Sequence, residues 1–164
     1  MNLILRMFLT IFFAKRASPV EPLDLSSVSM QVWPNDLDVQ MHMNNGRFLS
    51  LMDLGRIDFM VRIGFWREAR QRGWFPLVGT TKIDYRRPLK VFERYDLTTR
   101  VIGWDERWFF MEQQFIAQNK VMASAILKVM LRSSEGLVTP LQAMEAIRFT
   151  GSSPELPAAA KALL

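Results

Sequence analysis

The spacing of apolar positions changes several times along the chain, and each change marks an element. Val28, Met30 and Val32 recur at every second position between Ser27 and Pro34. That spacing predicts a short strand closed by the proline. From Asn44 to Ile63 the period lengthens, with Phe48, Met52, Gly55, Phe59 and Ile63 at steps of three and four. This is one stripe of a helix. Gly55 within the stripe lets a neighbouring element approach closely, at some cost in helix propensity. The rest of that helix is also largely apolar, which predicts burial on most sides. Gly64 and Gly73 bracket a second short helical piece, FWREARQR.

Beyond Gly73 the period returns to two. Strands are expected over 74–89, 95–104, 107–118 and 121–132. Tyr95, Leu97, Thr99 and Val101 share one face, as do Val121, Ala123, Ala125, Leu127, Val129 and Leu131. Gln118-Asn119-Lys120 signals a tight hairpin between the last two strands. Thr139 and Pro140 open a short helix over 139–147 as N-cap and first-turn residue. Residues 150–164 read as a loose tail. One strand, a long buried helix and then four mostly antiparallel strands imply an α+β domain whose sheet wraps the helix.

The first residues, MNLILRMFLTIFFAKRAS, follow none of these patterns. Their apolar run is shorter than the ~20 residues of a spanning helix. The stronger positive charge, Lys15 and Arg16, follows the run, which argues against a cleaved signal. Two readings stay open: a helix lying in a membrane interface, or one docked on the domain or a partner subunit. Pro19 and Pro22 then make a linker. The expected organisation is an apolar helix and linker over 1–22, one domain over 23–150 and a tail over 151–164.

Composition narrows the chemistry. With 49% hydrophobic residues among 164, one domain with a sizeable core is expected. The absence of cysteine removes disulfides and thiolate chemistry. A single histidine, His42, rules out a multi-imidazole zinc site within one chain, and no metal or cofactor is expected. No G-x-S-x-G elbow accompanies it. A net charge of +5 suits an anionic ligand or lipid surface. The basic residues never run longer than two together, so no nucleic-acid partner is expected.

What remains is carboxylate, hydroxyl, amide and backbone N–H, and these concentrate in NDLDVQMHMNNGRF, residues 35–48. One account is structural: Asp36 or Asp38 caps a turn, Asn44 caps the next helix and His42 is a loop histidine. The other is chemical. A helix start offers free N–H groups and partial positive charge to a developing oxyanion. A carboxylate just upstream would attack the same carbonyl or activate a water.

The segment DLDVQMHMNNGRF resembles the D-x-D-x-x-G-H-V-N-N-x-R-Y signature of hotdog-fold acyl-CoA thioesterases of the 4-hydroxybenzoyl-CoA thioesterase type. IDYRRPLKVFERYDLTTRVIGWDERWFFMEQQF resembles the family's following strands with their Y-x-x-P-L element, so the likeness spans about residues 28–132. It implies an antiparallel sheet around one long central helix. It implies Asp38 as catalytic nucleophile or general base, and Asn45 as the helix-start amide that polarises the thioester carbonyl. His42 and Asn44 are then assigned to shaping the loop and capping the helix, and Asp36 to support. Arg86, Arg87, Lys90 and Arg107 become candidates for CoA phosphates, and Thr80 and Thr81 for the acyl pocket, each against the plainer reading of a solvated or packed strand residue. The resemblance further implies an acyl-CoA substrate and a homodimer or homotetramer with sites between subunits. A cytoplasmic location is expected, with peripheral membrane contact through residues 1–17 left open.

Two positions depart from the signature. Met41 replaces its glycine, which would be strained at a positive φ. Phe48 replaces its tyrosine and lacks the hydroxyl. Met41 and the apolar N-terminus motivate a rival, a non-catalytic acyl-binding or membrane-associated protein on the same fold. A hydratase, which pairs Asp with a nearby His, fits the motif less well.

Overall fold

A computed structural model describes residues 2–163. Helix α1 covers Leu3–Ala14 and strand β1 Ser26–Gln31, followed by a 3-10 turn at Pro34–Asp36. Helices α2, Asn45–Arg62, and α3, Phe65–Arg72, come next. Strands β2, Phe75–Tyr85, β3, Arg94–Trp104, β4, Phe109–Ala117, β5, Lys120–Ser133, and β6, Gly136–Val138, then form the sheet with β1. Helices α4, Pro140–Ala146, and α5, Ala158–Lys161, complete the chain.

Among the described residues the sheet has the order β1-β3-β4-β5-β2, with β6 on β5, and every pairing is antiparallel. The two-residue period carries over directly into packing. Leu97, Thr99 and Val101 of β3 are buried with Ala123, Ala125, Leu127, Val129 and Leu131 of β5. They meet Phe48, Leu51, Met52 and Phe59 of α2, so the sheet wraps the helix as expected. β2 is shorter than its spacing suggested: it ends at Tyr85, where Arg86 and Arg87 turn their N–H groups onto the Met122 carbonyl.

Helix and sheet pack closely at Gly55. A Cβ there would stand 2.8 Å from Leu97 Cδ2 and 2.9 Å from both Gln113 Nε2 and Thr99 Oγ1. At those distances any larger residue would force the Leu97, Gln113 or Thr99 side chain to shift. Beside it Gln113 is fully buried yet satisfied. Its amide donates to the Met52 carbonyl at 3.0 Å and to Thr99 Oγ1 at 2.8 Å, and it accepts from Arg56 Nη1 at 2.8 Å. This polar link ties α2 to β3 and β4 without an orphaned group.

The N-terminal segment is docked, but with an unexpected face inward. Arg6, Thr10 and Ala14 of α1 are buried, while Ile4, Leu5, Phe8, Leu9, Phe12 and Phe13 are exposed. Among the described residues no helix is long and apolar enough to cross a membrane.

The segment expected to be a loose tail is held against the sheet. Trp104 N–H donates to Ser153 Oγ at 2.8 Å, Ser153 Oγ donates back to the Trp104 carbonyl at 2.8 Å, and Ala160 is fully buried. Lys128 Nζ donates to the Leu163 carbonyl at 3.0 Å. Small residues and prolines gave no periodic signal there, and contact with β3 and β5 supplies the order instead.

Candidate active site

The path from β1 to α2 places two aspartates, two residues apart, in opposite environments. Asp36 is fully buried at the end of the 3-10 turn. Its Oδ2 accepts from Arg6 Nη2 at 2.5 Å and from the Trp33 N–H at 2.9 Å. Its Oδ1 accepts from Arg47 Nε at 3.0 Å and Nη2 at 2.8 Å. Burial works against its charge, but the Trp33 amide and the two guanidiniums outweigh burial and hold its pKa below the usual carboxylate value. The Asp36 carbonyl also accepts from the Asn44 N–H at 2.8 Å, which fixes the entry to α2.

Between these anchors the chain makes a tight hairpin. Leu37 pairs with Met43, Asp38 N–H donates to the His42 carbonyl at 2.8 Å, and Met41 N–H donates to the Asp38 carbonyl at 3.1 Å. A turn followed by a bulged residue demands a left-handed backbone at the bulge. Met41 occupies it with φ 60° and an exposed side chain. The signature's glycine therefore answers a real backbone requirement, and this chain meets it with methionine at a local cost of about 1–2 kcal/mol. His42 and Met43 also pair with the segment after β2: Met43 N–H donates to the Leu89 carbonyl at 2.9 Å, and His42 bridges Lys90.

Asp38 is half-buried, and its Oδ1 accepts from the Gln40 N–H at 2.9 Å and the His42 N–H at 3.4 Å. No cation is paired with it among the described residues. It lines a cleft of about 460 Å³ together with His42, Asn45, Tyr85, Arg86 and Arg87. That volume lies within the range of small-molecule sites. Asn44 caps α2, its Oδ1 accepting from the Gly46 N–H at 2.8 Å. Asn45 is the first helical residue, a position whose amide has no intrahelical acceptor.

The structure thus gathers Asp38, His42, Asn45, Arg86 and Arg87 on one cleft, with Asn44 behind it as the cap. Lys90 lies outside the lining; its N–H donates to Glu93 Oε2 at 2.9 Å. Thr80 and Thr81 sit mid-way along β2, opposite Lys128 and Leu127. Arg107 stands in the β3–β4 turn, its N–H on Asp105 Oδ1 at 2.7 Å and its guanidinium 5.5 Å from the Trp108 ring. Within one chain Lys90, Thr80, Thr81 and Arg107 are not brought to the cleft.

Tyr85, which opens the Y-x-x-P-L element, also lines the cleft, and no local pattern marks it for that place. Its hydroxyl donates to the Asn45 carbonyl at 3.1 Å, clamping the first residue of α2 to the end of β2. Burial raises its pKa. Phe48 packs edge-on to Tyr85 at 5.3 Å and to Phe115 at 4.8 Å, so the signature's ring is kept although its hydroxyl is lost. Chemically the cleft offers an unpaired carboxylate, a helix-start amide and two guanidiniums. Among the described residues no group of three or more His, Cys, Asp or Glu is arranged to hold a metal ion.

Residues 32–160 match the profile of the thioesterase-like superfamily. Over 93 residues the chain is 39% identical to Protein THEM6 of Danio rerio, covering 57% of this chain and 46% of that protein. Over 161 residues it is 26% identical to Thioesterase lcsJ of Purpureocillium lilacinum, covering 83% and 52%. The chain spans about half the length of these curated relatives. Among solved structures, YbaW, a probable thioesterase from Escherichia coli, superposes with a TM-score of 0.68 at 18% identity, covering 74% of this chain and 95% of that one. A 4-hydroxybenzoyl-CoA thioesterase variant bound to 4-hydroxybenzoyl-CoA superposes with a TM-score of 0.66 at 9% identity, covering 75% and 98%. The fold is the hotdog fold.

Proposed function

The chain belongs to the thioesterase-like superfamily, and we propose that it hydrolyses acyl-CoA thioesters at the cleft beside the start of α2. The observation that carries this reading is that Asp38 and Asn45, the first residue of α2, line one cleft. A thioester carbonyl placed there has its oxygen toward the Asn45 N–H, which stabilises the negative charge that develops on it. Asp38 attacks the carbonyl carbon or takes a proton from the attacking water. When water attacks, the C–S bond breaks to give the carboxylic acid and the CoA thiol directly. When Asp38 attacks, C–S cleavage gives the CoA thiol and a mixed anhydride on Asp38, which a water then hydrolyses to the acid and the free carboxylate. Arg86 and Arg87 at the rim suit the phosphates of CoA. His42 and Asn44 hold the loop and the cap.

The test is thiol release from short, long and aryl acyl-CoAs by the wild-type and Asp38→Ala proteins. Turnover that disappears in the variant supports the mechanism; turnover at the wild-type rate overturns it. Met41 at φ 60° favours one rival, an acyl-CoA-binding protein without turnover. Saturable binding of every acyl-CoA with no thiol released would establish that rival.

The acting unit in this reading is a homodimer or a homotetramer. β2 is an edge strand with exposed Phe75, Leu77 and Val78, and a groove of about 530 Å³ runs beside it over Ile57, Met60 and Trp74. An open edge of 11 residues flanked by apolar surface is suited to pairing with a second copy. Leu77→Lys with Val78→Lys should reduce the mass seen by light scattering to that of a monomer. A wild-type protein that is already monomeric would remove the dimer.

Peripheral contact with an anionic bilayer is proposed for α1, whose six outward apolar side chains are followed by Lys15 and Arg16. Phe8→Ser with Phe12→Ser is the informative variant, because deleting the helix would strip Arg6 from Asp36. Liposome co-sedimentation should fall in the variant, and unchanged sedimentation removes this role.

A further inference from the structure

The hairpin that carries Asp38 is suspended from two points. At its exit Met43 N–H donates to the Leu89 carbonyl at 2.9 Å. At its entry stands Asp36, whose carbonyl accepts from the Asn44 N–H at 2.8 Å and closes the base of the hairpin. The entry point therefore lies where the partners of Asp36 hold it. Two of those partners are local: the Trp33 N–H on Oδ2, and Arg47, in the first turn of α2, on Oδ1. The third is Arg6 Nη2, again on Oδ2. Among the described residues it is the one donor to the Asp36 carboxylate from outside residues 33–47.

Helix α1 gives Arg6 a fixed base. Leu3 and Met7 pack against the core, and Thr10 and Ala14 are buried further along the same helix. The Arg6 side chain is 5% exposed and that of Asp36 0%. Burying both charges is costly, and apolar side chains would hold α1 to the domain at least as well. What an arginine adds is direction. A planar guanidinium on one oxygen, with Arg47 on the other, fixes the plane of the Asp36 carboxylate. Asp38 follows two residues later, within about 7 Å of extended chain, so a shift of Asp36 is passed to the hairpin.

We propose that Arg6 is a positioning residue for the cleft: through Asp36 it sets where the Asp38 carboxylate stands relative to the start of α2. Arg6 does not line the cleft, and neither does any other residue of α1. The kinetic consequence rests on the thioester hydrolysis proposed above, whereas the placement of the hairpin does not. A displacement of about 1 Å at a reacting group costs up to about 10²-fold in rate, so the effect falls on kcat and not on substrate affinity. α1 is then a working part of the domain.

The experiment compares the full chain with four variants, at a temperature where circular dichroism shows each of them folded. Arg6→Met and Arg6→Gln remove the charge, and Arg6→Lys restores a cation toward Asp36. Thr10→Val alters the same inward face of α1 at a residue that is not a donor to Asp36. One readout is hydrogen exchange by mass spectrometry over residues 37–44 and over β3 to β5; the other is kcat and KM for thiol release. Arg6→Met and Arg6→Gln should exchange about tenfold faster or more over 37–44 with β3 to β5 unchanged, the sign of a local opening. Their kcat should fall about tenfold or more with KM within about twofold of wild type. Arg6→Lys should return both readouts toward wild type, and Thr10→Val should move neither. If Arg6→Met does not fold, Arg6→Gln carries the comparison. The proposal is overturned if exchange over 37–44 does not change on loss of the charge, if Thr10→Val loosens the hairpin equally, or if kcat is unaffected in a protein that turns over. A wild type that releases no thiol from any acyl-CoA removes the hydrolysis reading instead, and exchange alone then decides the role of Arg6.

Discussion

Asp36 and Asp38 are separated by one residue, yet they belong to different regions of the molecule. Asp36 sits between two arginines from distant parts of the chain, with all four of its hydrogen-bond donors supplied by protein. Asp38 faces a cleft and accepts only from two amides of its own turn. The first carboxylate is committed to holding α1, the 3-10 turn and α2 together. The second is held in place by backbone amides and has no ion-pair partner among the described residues. A carboxylate that is to react needs position without neutralisation, and a local turn supplies that where a salt bridge would not.

The comparison can be broken most decisively at Asp38. Asp38→Asn should lower thiol release by at least about 10²–10⁴-fold, the contribution of a positioned base, with an unchanged melting temperature. A variant that loses its fold instead would make Asp38 a second Asp36. At Asp36 the opposite is expected. Asp36→Asn leaves two guanidiniums facing a neutral amide and should cost about 3–5 kcal/mol of stability, read as a lower urea midpoint. Little change there would mean that the two arginines are solvated and that the network is not structural.

A pH series sharpens the same contrast. The Asp36 pKa is depressed in the folded state, so its stabilisation is present above the unfolded value, about 3.9, and is lost as pH falls through the folded value. Asp58 runs the other way. Burial raises its pKa against the pull of the Ser26 hydroxyl and Arg62, so its contribution is present at low pH and is lost as pH rises through the folded value. Asp36→Asn should flatten the acid limb of the melting curve against pH, and Asp58→Asn should steepen it. Equal curves for all three proteins would reject the assignment.

Smaller effects are expected where the cleft meets its frame. Met41→Gly relieves the left-handed position and should stabilise by about 1 kcal/mol while leaving thiol release intact. Tyr85→Phe removes one partly exposed hydrogen bond to the Asn45 carbonyl and should cost about 0.5–1.5 kcal/mol. Its sharper readout is kinetic: kcat should fall with KM held, because the bond positions the helix-start amide.

Much of this arrangement was legible in local pattern. The stripe from Phe48 to Ile63, the strand faces of β3 and β5, the cap at Asn44 and the close approach at Gly55 all follow from periods and residue types. The Asp38–Asn45 pair was legible because both lie on one continuous segment whose turn and cap chemistry is local. The β2 end, the short β6 and the ordered tail were not, since three-residue strands and Ala- and Pro-rich stretches carry no period. In the sequence Arg6 is a single charge within an apolar run. Its partner is 30 residues away, and nothing in the spacing of either residue points to the other.

The amino-acid sequence by itself determined the elements, the hairpin-and-cap geometry of the cleft and the residue types available for chemistry. These depend on backbone preferences and side-chain periods that act over a few residues. Only the tertiary structure decided which aspartate is buried, which face of α1 turns inward and which cations reach the cleft. Those outcomes depend on desolvation and charge pairing between segments far apart in the chain, and such energies do not exist until the segments meet.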